Sequence, residues 1–496
     1  MRKHDVLVAA SALLFTILFY EQAAGINYLI FTLIYGLVNI SINKNNLSKR
    51  WYYAFAINFL TALNIFIVHT DLSIFAWYFS FIVNIGKAFE LKNTFLFNLY
   101  ISFASPISAF EKVYKRYFYR EKSESKSNKL IYLAAIFVSF LLIILFFFLY
   151  KGANPLFSDF TNKINFDWLD LPIVFFTIFG FFLLFTLVNP YIDLKLTAWD
   201  SEKFDNKLQE DEDQNTDAKK FVSIIAISVF FCLNLMLLIL NSLDVNSLFI
   251  MEKLPTNIFI SDFLHFAVTC IVVSIFLAIG LIIGIQQVKI KNKLIKTLIY
   301  AWIVQNSLMV FNTSIRNYWY SFNQITYLRI GVFVFLFLSL IGLIYTAKSI
   351  YSKRNYWFNI NLNFQTWFYM LIFCSFFPWD RLITKHNLSY QKVDEIDLAH
   401  LNSLSSNNVD LMYEFFKKHP SLFNEYGYYR SSLKDELLAK RKIFFWKMKN
   451  STWQSFNLMD QNITKKIVNS IQNDRNSKKK STKNQNNRTS DKINER

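Results

Sequence analysis

Long apolar runs recur along this chain with only short links between them, and that repetition constrains the fold more than any single motif does. The runs fall at about 6–20, 26–42, 51–68, 72–88, 130–150, 171–190, 221–240, 263–285, 297–313, 328–347 and 360–378. In lipid a backbone of this kind satisfies its polar groups only as helix. We therefore expect an all-α fold, a polytopic transmembrane helical bundle of eleven spans over residues 1–378. The basic start at Met1–Asp5 before the first run has the look of a secretory signal. No small-residue cleavage site follows it, and the next run begins at Ile26, so 6–20 reads as an uncleaved first helix.

A further stretch, 94–110, is broken by Ser102, Ser105 and Pro106 and has basic residues on both sides, Lys87 and Lys92 before it and Lys112 to Lys129 after it. Lysine and arginine in short loops stay cytoplasmic, so a single crossing here would set two cytoplasmic signals on opposite sides. We expect 94–110 to be re-entrant or interfacial. The eleven crossings then leave the amino end in the cytoplasm of a bacterial inner membrane and the chain after Pro378 in the periplasm. The basic character of that last part opposes this placement, although long domains cross regardless of charge.

Composition excludes several function classes. The net charge of +18 invites a nucleic-acid reading, yet much of the excess sits in short links between apolar runs, where it acts as an orientation signal. Membrane lipids are the expected partners and nucleic acid is not. Cys232, Cys270 and Cys374 lie in apolar runs without paired spacing and read as small buried hydrophobes. The six histidines are scattered, and no zinc, nucleophile-elbow, phosphate-loop or dinucleotide signature occurs. No catalytic residue, metal or cofactor is assigned.

Beyond the bundle, 379–472 reads as a helical extramembrane domain. Asp397, Leu398, Leu401 and Leu404 lead on to Val409, Met412, Phe415 and Phe416 at helical spacing, and further helices are expected at 432–448 and 453–471. Residues 473–496 read as a disordered basic tail. The hydrophilic stretch 191–220 reads as a loop.

Four polar groups are candidates for binding a ligand or partner. Glu21, Gln22 and Asn27 mark the first hairpin, as an interfacial turn or as groups facing a cavity. Asn306, Asn312, Arg316, Asn323 and Arg329 cluster between two spans; Arg316 must snorkel, meet a carboxylate or hold an anion. Asp262 and His265 form either a helix cap or a proton-sensitive pair. Trp379, Asp380 and Arg381 follow the last span and anchor it. Asn58, Asn64, Asn84 and Asn234 are expected to hydrogen-bond between helices, at about 0.6 kcal/mol each.

Two segments carry a resemblance. Ile315–Arg329, with Tyr320, Thr326, Tyr327 and Arg329, and Pro378–Leu388 followed by Asp397-Leu398-Ala399-His400-Leu401 and Leu404-Ser405, resemble an uncharacterised family of bacterial multi-spanning membrane proteins, the DUF4173/DUF4153-like group. Gly25-Ile26-Asn27 shares in it. This chain departs at Trp379, Ile325, His386 and His400. The resemblance adds weight to Asn27, Arg316, Thr326, Arg329, Asp380 and Asn387 and names no reaction.

Acidic groups inside the spans are scarce, which argues against ion-coupled transport. The expected role is a structural or interaction subunit of a cell-envelope complex, docking to another membrane or envelope protein through the carboxyl domain. The rivals are a transporter or channel for a small or anionic substrate, which requires Arg316, Arg329 and Glu21 to converge on a cavity, and a lipid-processing enzyme.

Overall fold

The computed structural model describes residues 3–44, 47–87, 93–117, 139, 143, 146–147, 149–157, 171–189, 194–205, 217–249, 279–284, 292–390, 392–424 and 432–472. Among these no β-strand forms. The bundle consists of α1 (Lys3–Phe19), α2 (Ile26–Asn43), α3 (Lys49–Ile67), α4 (Asp71–Gly86), α5 (Phe95–Tyr117), α6 (Leu171–Val188), α7 (Leu194–Asp205), α8 (Asp217–Phe249), α9 (Lys293–Asn323), α10 (Tyr327–Tyr351) and α11 (Tyr356–Ser375). Among the described residues four stretches, Ile26–Asn43, Lys219–Asn246, Lys293–Trp319 and Tyr327–Tyr351, are long and apolar enough to cross a membrane, and four shorter apolar helices accompany them. The protein is a multi-pass membrane protein. The expected spans at 130–150 and 263–285 lie mostly outside the described residues.

Helix starts follow capping chemistry that is local in sequence. Ser48 accepts from the Trp51 amide, Thr70 and Ser73 form a reciprocal capping box, and Thr326 and Asn355 cap α10 and α11. Packing then sorts the helices into two groups. In the first, aromatic rings of α1 to α4 interlock around Phe31, Trp51 and Trp77. In the second, α8, α9 and α10 share a core at Phe230, Trp302 and Leu343. α11 bridges the groups, touching α3, α4 and α5 on one side and α10 on the other.

Buried amides supply the interhelical glue. Asn58 Nδ2 donates to Ser80 Oγ at 2.9 Å, Asn64 Nδ2 to the Ser375 carbonyl at 2.8 Å, and Asn234 Nδ2 to the Leu298 carbonyl at 2.9 Å. Asn84 differs from expectation, because both its amide atoms are buried without a hydrogen-bond partner among the described residues. Cys232 is exposed, not buried. It lies on α8, where only 17% of the apolar stretch is buried inside the protein. A face this apolar is suited to lipid, so apolar sequence context does not imply a protein interior.

The element boundaries also move. The run expected at 221–240 belongs to a helix that extends from Asp217 to Phe249, and the run at 297–313 to one that extends from Lys293 to Asn323. At 1.5 Å per residue, α9 is about 46 Å long and outruns a hydrocarbon core of about 30 Å. The hydrophilic stretch after 191 contains the short helix α7, held because Asp200 accepts from the Thr94 amide and hydroxyl, both at 2.7 Å, and from Trp357 Nε1 at 2.9 Å.

The two ends of the bundle differ. One carries Lys44, Lys49, Arg50, Lys87, Lys293, Lys348 and Arg354 and is closed by polar ties, Ser48 Oγ to the Lys87 carbonyl and Arg354 to α7. Both ends of α5 are tied there. Thr94 bonds Asp200, and Lys112 Nζ donates to the Asn189 carbonyl at 2.9 Å, one residue beyond α6.

The opposite end carries the carboxyl domain: α12 (Trp379–Tyr390), α13 (Leu398–Ser403), α14 (Val409–Lys418), α15 (Leu433–Lys449) and α16, residues 458–472. Its core gathers Ile383, Leu401, Met412, Phe423, Leu437, Phe444 and Ile463, and takes in Val68, Ile325 and Ile330 from the bundle.

Candidate functional site

Four of the sequence-selected polar residues, Thr326, Arg329, Asp380 and Asn387, meet at the seam between bundle and carboxyl domain. Asn387, almost fully buried on α12, clamps the α9–α10 turn: its Oδ1 accepts from the Ile325 amide at 2.8 Å and its Nδ2 donates to the Ile325 carbonyl at 2.9 Å. Asp380 accepts from the Tyr327 hydroxyl at 2.7 Å with one carboxylate oxygen and from Ser405 with the other. Thr326 caps α10 by accepting from the Arg329 amide, and Arg329 donates back to the Gln324 carbonyl. These residues share one short turn and the helix that covers it.

The first hairpin joins the same seam. Asn27 is fully buried and spends all four of its hydrogen-bonding positions inside the hairpin: Nδ2 on the Leu18 and Ala23 carbonyls, Oδ1 on the Gly25 and Tyr28 amides. Glu21 is exposed, with φ at 54°. Beside it Gln22 accepts from the Thr452 hydroxyl, and the Ile26 amide donates to the Phe456 carbonyl at 2.9 Å.

The Asn306 to Arg316 group does something else. It faces α8 in a ladder of polar contacts: Asn234 with Gln305 at 2.8 Å, Asn241 with the Gln305 carbonyl at 3.0 Å, and Arg316 with Asp244 at 2.9 Å. Arg316 therefore meets a carboxylate. Asn306 bonds the Trp302 carbonyl one turn back, and Asn312 Nδ2 is buried without a partner among the described residues. Arg329 donates to the Gln324 carbonyl, and Glu21 is exposed. Asp262 and His265 lie outside the described residues.

Sequence reading passed over the most polar part of the seam. His69, in the left-handed conformation just after α3, points Nδ1 at Asp460 Oδ2, 3.0 Å away, and Asn457 Nδ2 donates to the same oxygen at 2.9 Å. Together with Asp71, Tyr327, Asp380 and Lys447 the pair lines a cavity of about 680 Å³ between bundle and domain. Below it Arg381 holds Asp410 through two hydrogen bonds, 2.6 and 2.9 Å, and Asn407 Nδ2 reaches the His69 carbonyl. The Asn457-x-x-Asp460 spacing marks a helix start. No local signal ties it to His69, which is 391 positions away.

Charge in this cavity depends on its neighbours. Burial alone raises the Asp460 carboxyl, but the hydrogen bond and charge of His69, the Asn457 amide and the charge of Lys447 outweigh it, and the net shift is downward from the ordinary 3.8. Outside the cavity lining, where Lys440 donates to Asn402 and Asn408 within the domain, burial pushes it down to about 8, against the opposing charge of Asp380. A carboxyl whose folded value is depressed stabilises the folded state fully above its unfolded value and loses that contribution as pH falls through the folded one. Docking of the domain is thus expected to weaken below pH 3.8, read as protease release of 379–472. Asp460→Asn is expected to weaken docking at neutral pH and flatten the response; an unchanged acid response in that variant would assign it elsewhere.

The comparisons with known proteins come down to one match. A family model described as "Domain of unknown function (DUF4153)" matches residues 8–415. The chain belongs to this family. Nothing matches among curated proteins or among solved structures. The family match takes in Asn27, Arg316, Thr326, Arg329, Asp380 and Asn387, and with them the α9–α10 turn and its clamp. It stops inside α14, so Asp460 and the 452–456 segment that docks on the hairpin lie beyond the family's matched residues.

Proposed function

We propose that this protein is a structural or interaction subunit of a bacterial cell-envelope complex, with the carboxyl domain as its docking module. One observation carries the reading. Polar residues beside the spans fasten that domain to them, through Asn387 on Ile325 and Asp380 on Tyr327. A domain so held is presented rigidly, and Ile443 and Trp446 stand 65% and 68% exposed on α15 as groups for a partner protein to cover.

The proposed location is the inner membrane, with the amino end cytoplasmic, α5 interfacial and the domain periplasmic. Its support is the collection of lysines and arginines at the end opposite the domain.

The test is crosslinking in native membranes followed by purification in detergent. A second envelope protein is expected at fixed stoichiometry, and Ile443→Asp with Trp446→Ala should remove it while thermal unfolding stays as in the parent. Retention of the partner in that variant sinks the docking surface, and recovery of lipid alone sinks the subunit reading. In a cysteine-free background, an impermeant thiol reagent should reach Ser451→Cys in intact cells; labelling only after lysis reverses the orientation.

A second reading, handling of a small or lipid-linked substrate, is favoured by the seam cavity, where Asp71, Asp380 and the His69–Asp460 pair bring acid and base groups together. It predicts a bound small molecule that Asp71→Asn releases without undocking the domain.

A further inference from the structure

A second cavity, of about 510 Å³, opens at the basic end of the bundle, between α3, α4, α5, α7 and α11. That volume is within the range of small-ligand sites, about 300–1,000 Å³. Arg50 and Lys87 stand on its wall together with Asn93, which is 6% exposed and has neither amide atom hydrogen-bonded among the described residues. A buried amide with both ends orphaned is costly unless something outside the chain satisfies it.

The cations add a second sign. Burial, with the nearby charge of Arg50 next, brings Lys87 down to about 8 in spite of Asp200. Two positive groups held this close leave a place that an anion would stabilise. Of the acidic residues nearby, Asp205 on the wall is exposed with Arg354 at 3.7 Å, and Asp200, outside the lining, accepts from Thr94 and Trp357.

The shape of the cavity distinguishes a lipid from a free anion. From the polar groups at the basic end, the lining continues past Ile57 to Phe368 and Tyr369. At 1.5 Å per residue, Tyr369 lies about 20 Å along α11 from its first residue, well into the apolar layer. Tyr53 and Tyr369 are 74% and 49% exposed, so the wall opens sideways to the surface of the bundle. Charge at the headgroup level and an apolar trough beneath it fit one molecule with both properties.

We infer that this cavity holds an anionic phospholipid from the leaflet at the basic end, its phosphate between Arg50 and Lys87, its polar head on the Asn93 amide and an acyl chain along Phe368 and Tyr369. The site is separate from the seam and independent of the subunit reading. Anionic lipid is enriched on the cytoplasmic side, and each basic group near that surface is worth about a fivefold change in binding.

The full-length protein in detergent is titrated with phosphatidylglycerol, with phosphatidylcholine, or with glycerol phosphate, and retained lipid is counted by native mass spectrometry. Phosphatidylglycerol should be retained over phosphatidylcholine, and Arg50→Gln and Lys87→Gln should each lower retention about fivefold. Asn93→Asp, which places a negative charge beside the phosphate, should abolish it, while Lys293→Gln at the same end of the bundle should leave it unchanged. Arg50 is exposed, so its variant tests charge without disturbing packing. Retention unaffected by Arg50→Gln and Lys87→Gln overturns the site. Glycerol phosphate displacing the lipid at equal concentration overturns the lipid and leaves a site for a soluble phosphate.

Discussion

Arg381→Ala is expected to loosen the carboxyl domain at a cost of about 3–5 kcal/mol, the range for leaving one member of a buried ion pair without the other. Asp410 is 1% exposed and receives two hydrogen bonds from the guanidinium, in the side-by-side geometry that only arginine provides. Once Arg381 is removed, the nearest replacement is Lys466 Nζ at 3.8 Å, on a side chain 56% exposed, and such an ion pair compensates little. Arg381 also donates to the Asn407 carbonyl, and Asn407 in turn reaches His69 at the end of α3, so the loss spreads from α12 and α14 to the seam.

Denaturant unfolding in detergent, with limited proteolysis of 379–472 as a second probe, measures the effect. The combination Arg381→Met with Asp410→Leu should recover most of it, because an apolar pair removes the stranded charge. If the double variant is as unstable as the single, packing and not charge accounts for the loss.

Gly25→Ala is expected to separate the first hairpin from the carboxyl domain. A Cβ placed on Gly25 would stand 2.4 Å from the Ser455 carbonyl carbon, 2.6 Å from its oxygen and 2.8 Å from the Phe456 oxygen, all backbone atoms with no side-chain freedom to yield. Its φ of 178° is open to alanine, so the close approach and not the local backbone demands glycine. Retreat of 452–456 would break the Ile26–Phe456 hydrogen bond and the contact of Ser455 with the Ala23 carbonyl, for about 1–3 kcal/mol of overpacking and lost bonding. Gln22→Cys with Thr452→Cys joins two positions already in contact. Their disulfide should form readily in the parent and slowly with Gly25→Ala; equal rates would show that the two segments have room to spare.

How much of this was legible beforehand varies by residue. Helix starts at Thr70, Thr326, Asn355 and Ser432 are written in residues one turn apart, and the carboxyl helices follow from apolar spacing. Asp380, Asn387 and Asn27 stood out as polar groups beside spans, and the structure brings all three to the seam or its hairpin. The extension of α8 to Phe249 did not stand out, because Asp244 ends an apolar run in sequence, and its helical continuation depends on Arg316 of α9 standing opposite. His69 read as a scattered histidine for the same reason, with its partner at the far end of the chain.

By itself the sequence determined the all-helical, membrane-embedded character, the concentration of positive charge in particular links and the start of most helices, since each rests on chemistry within a turn or two of the chain or on transfer into lipid. Only the tertiary structure decided which polar side chain satisfies which. Whether Arg316 binds a ligand or Asp244, whether Asn93 is left with open amide atoms, and what covers Gly25 depend on distances between segments tens to hundreds of residues apart. Those distances are set by how the helices pack together, and local propensity carries no record of them.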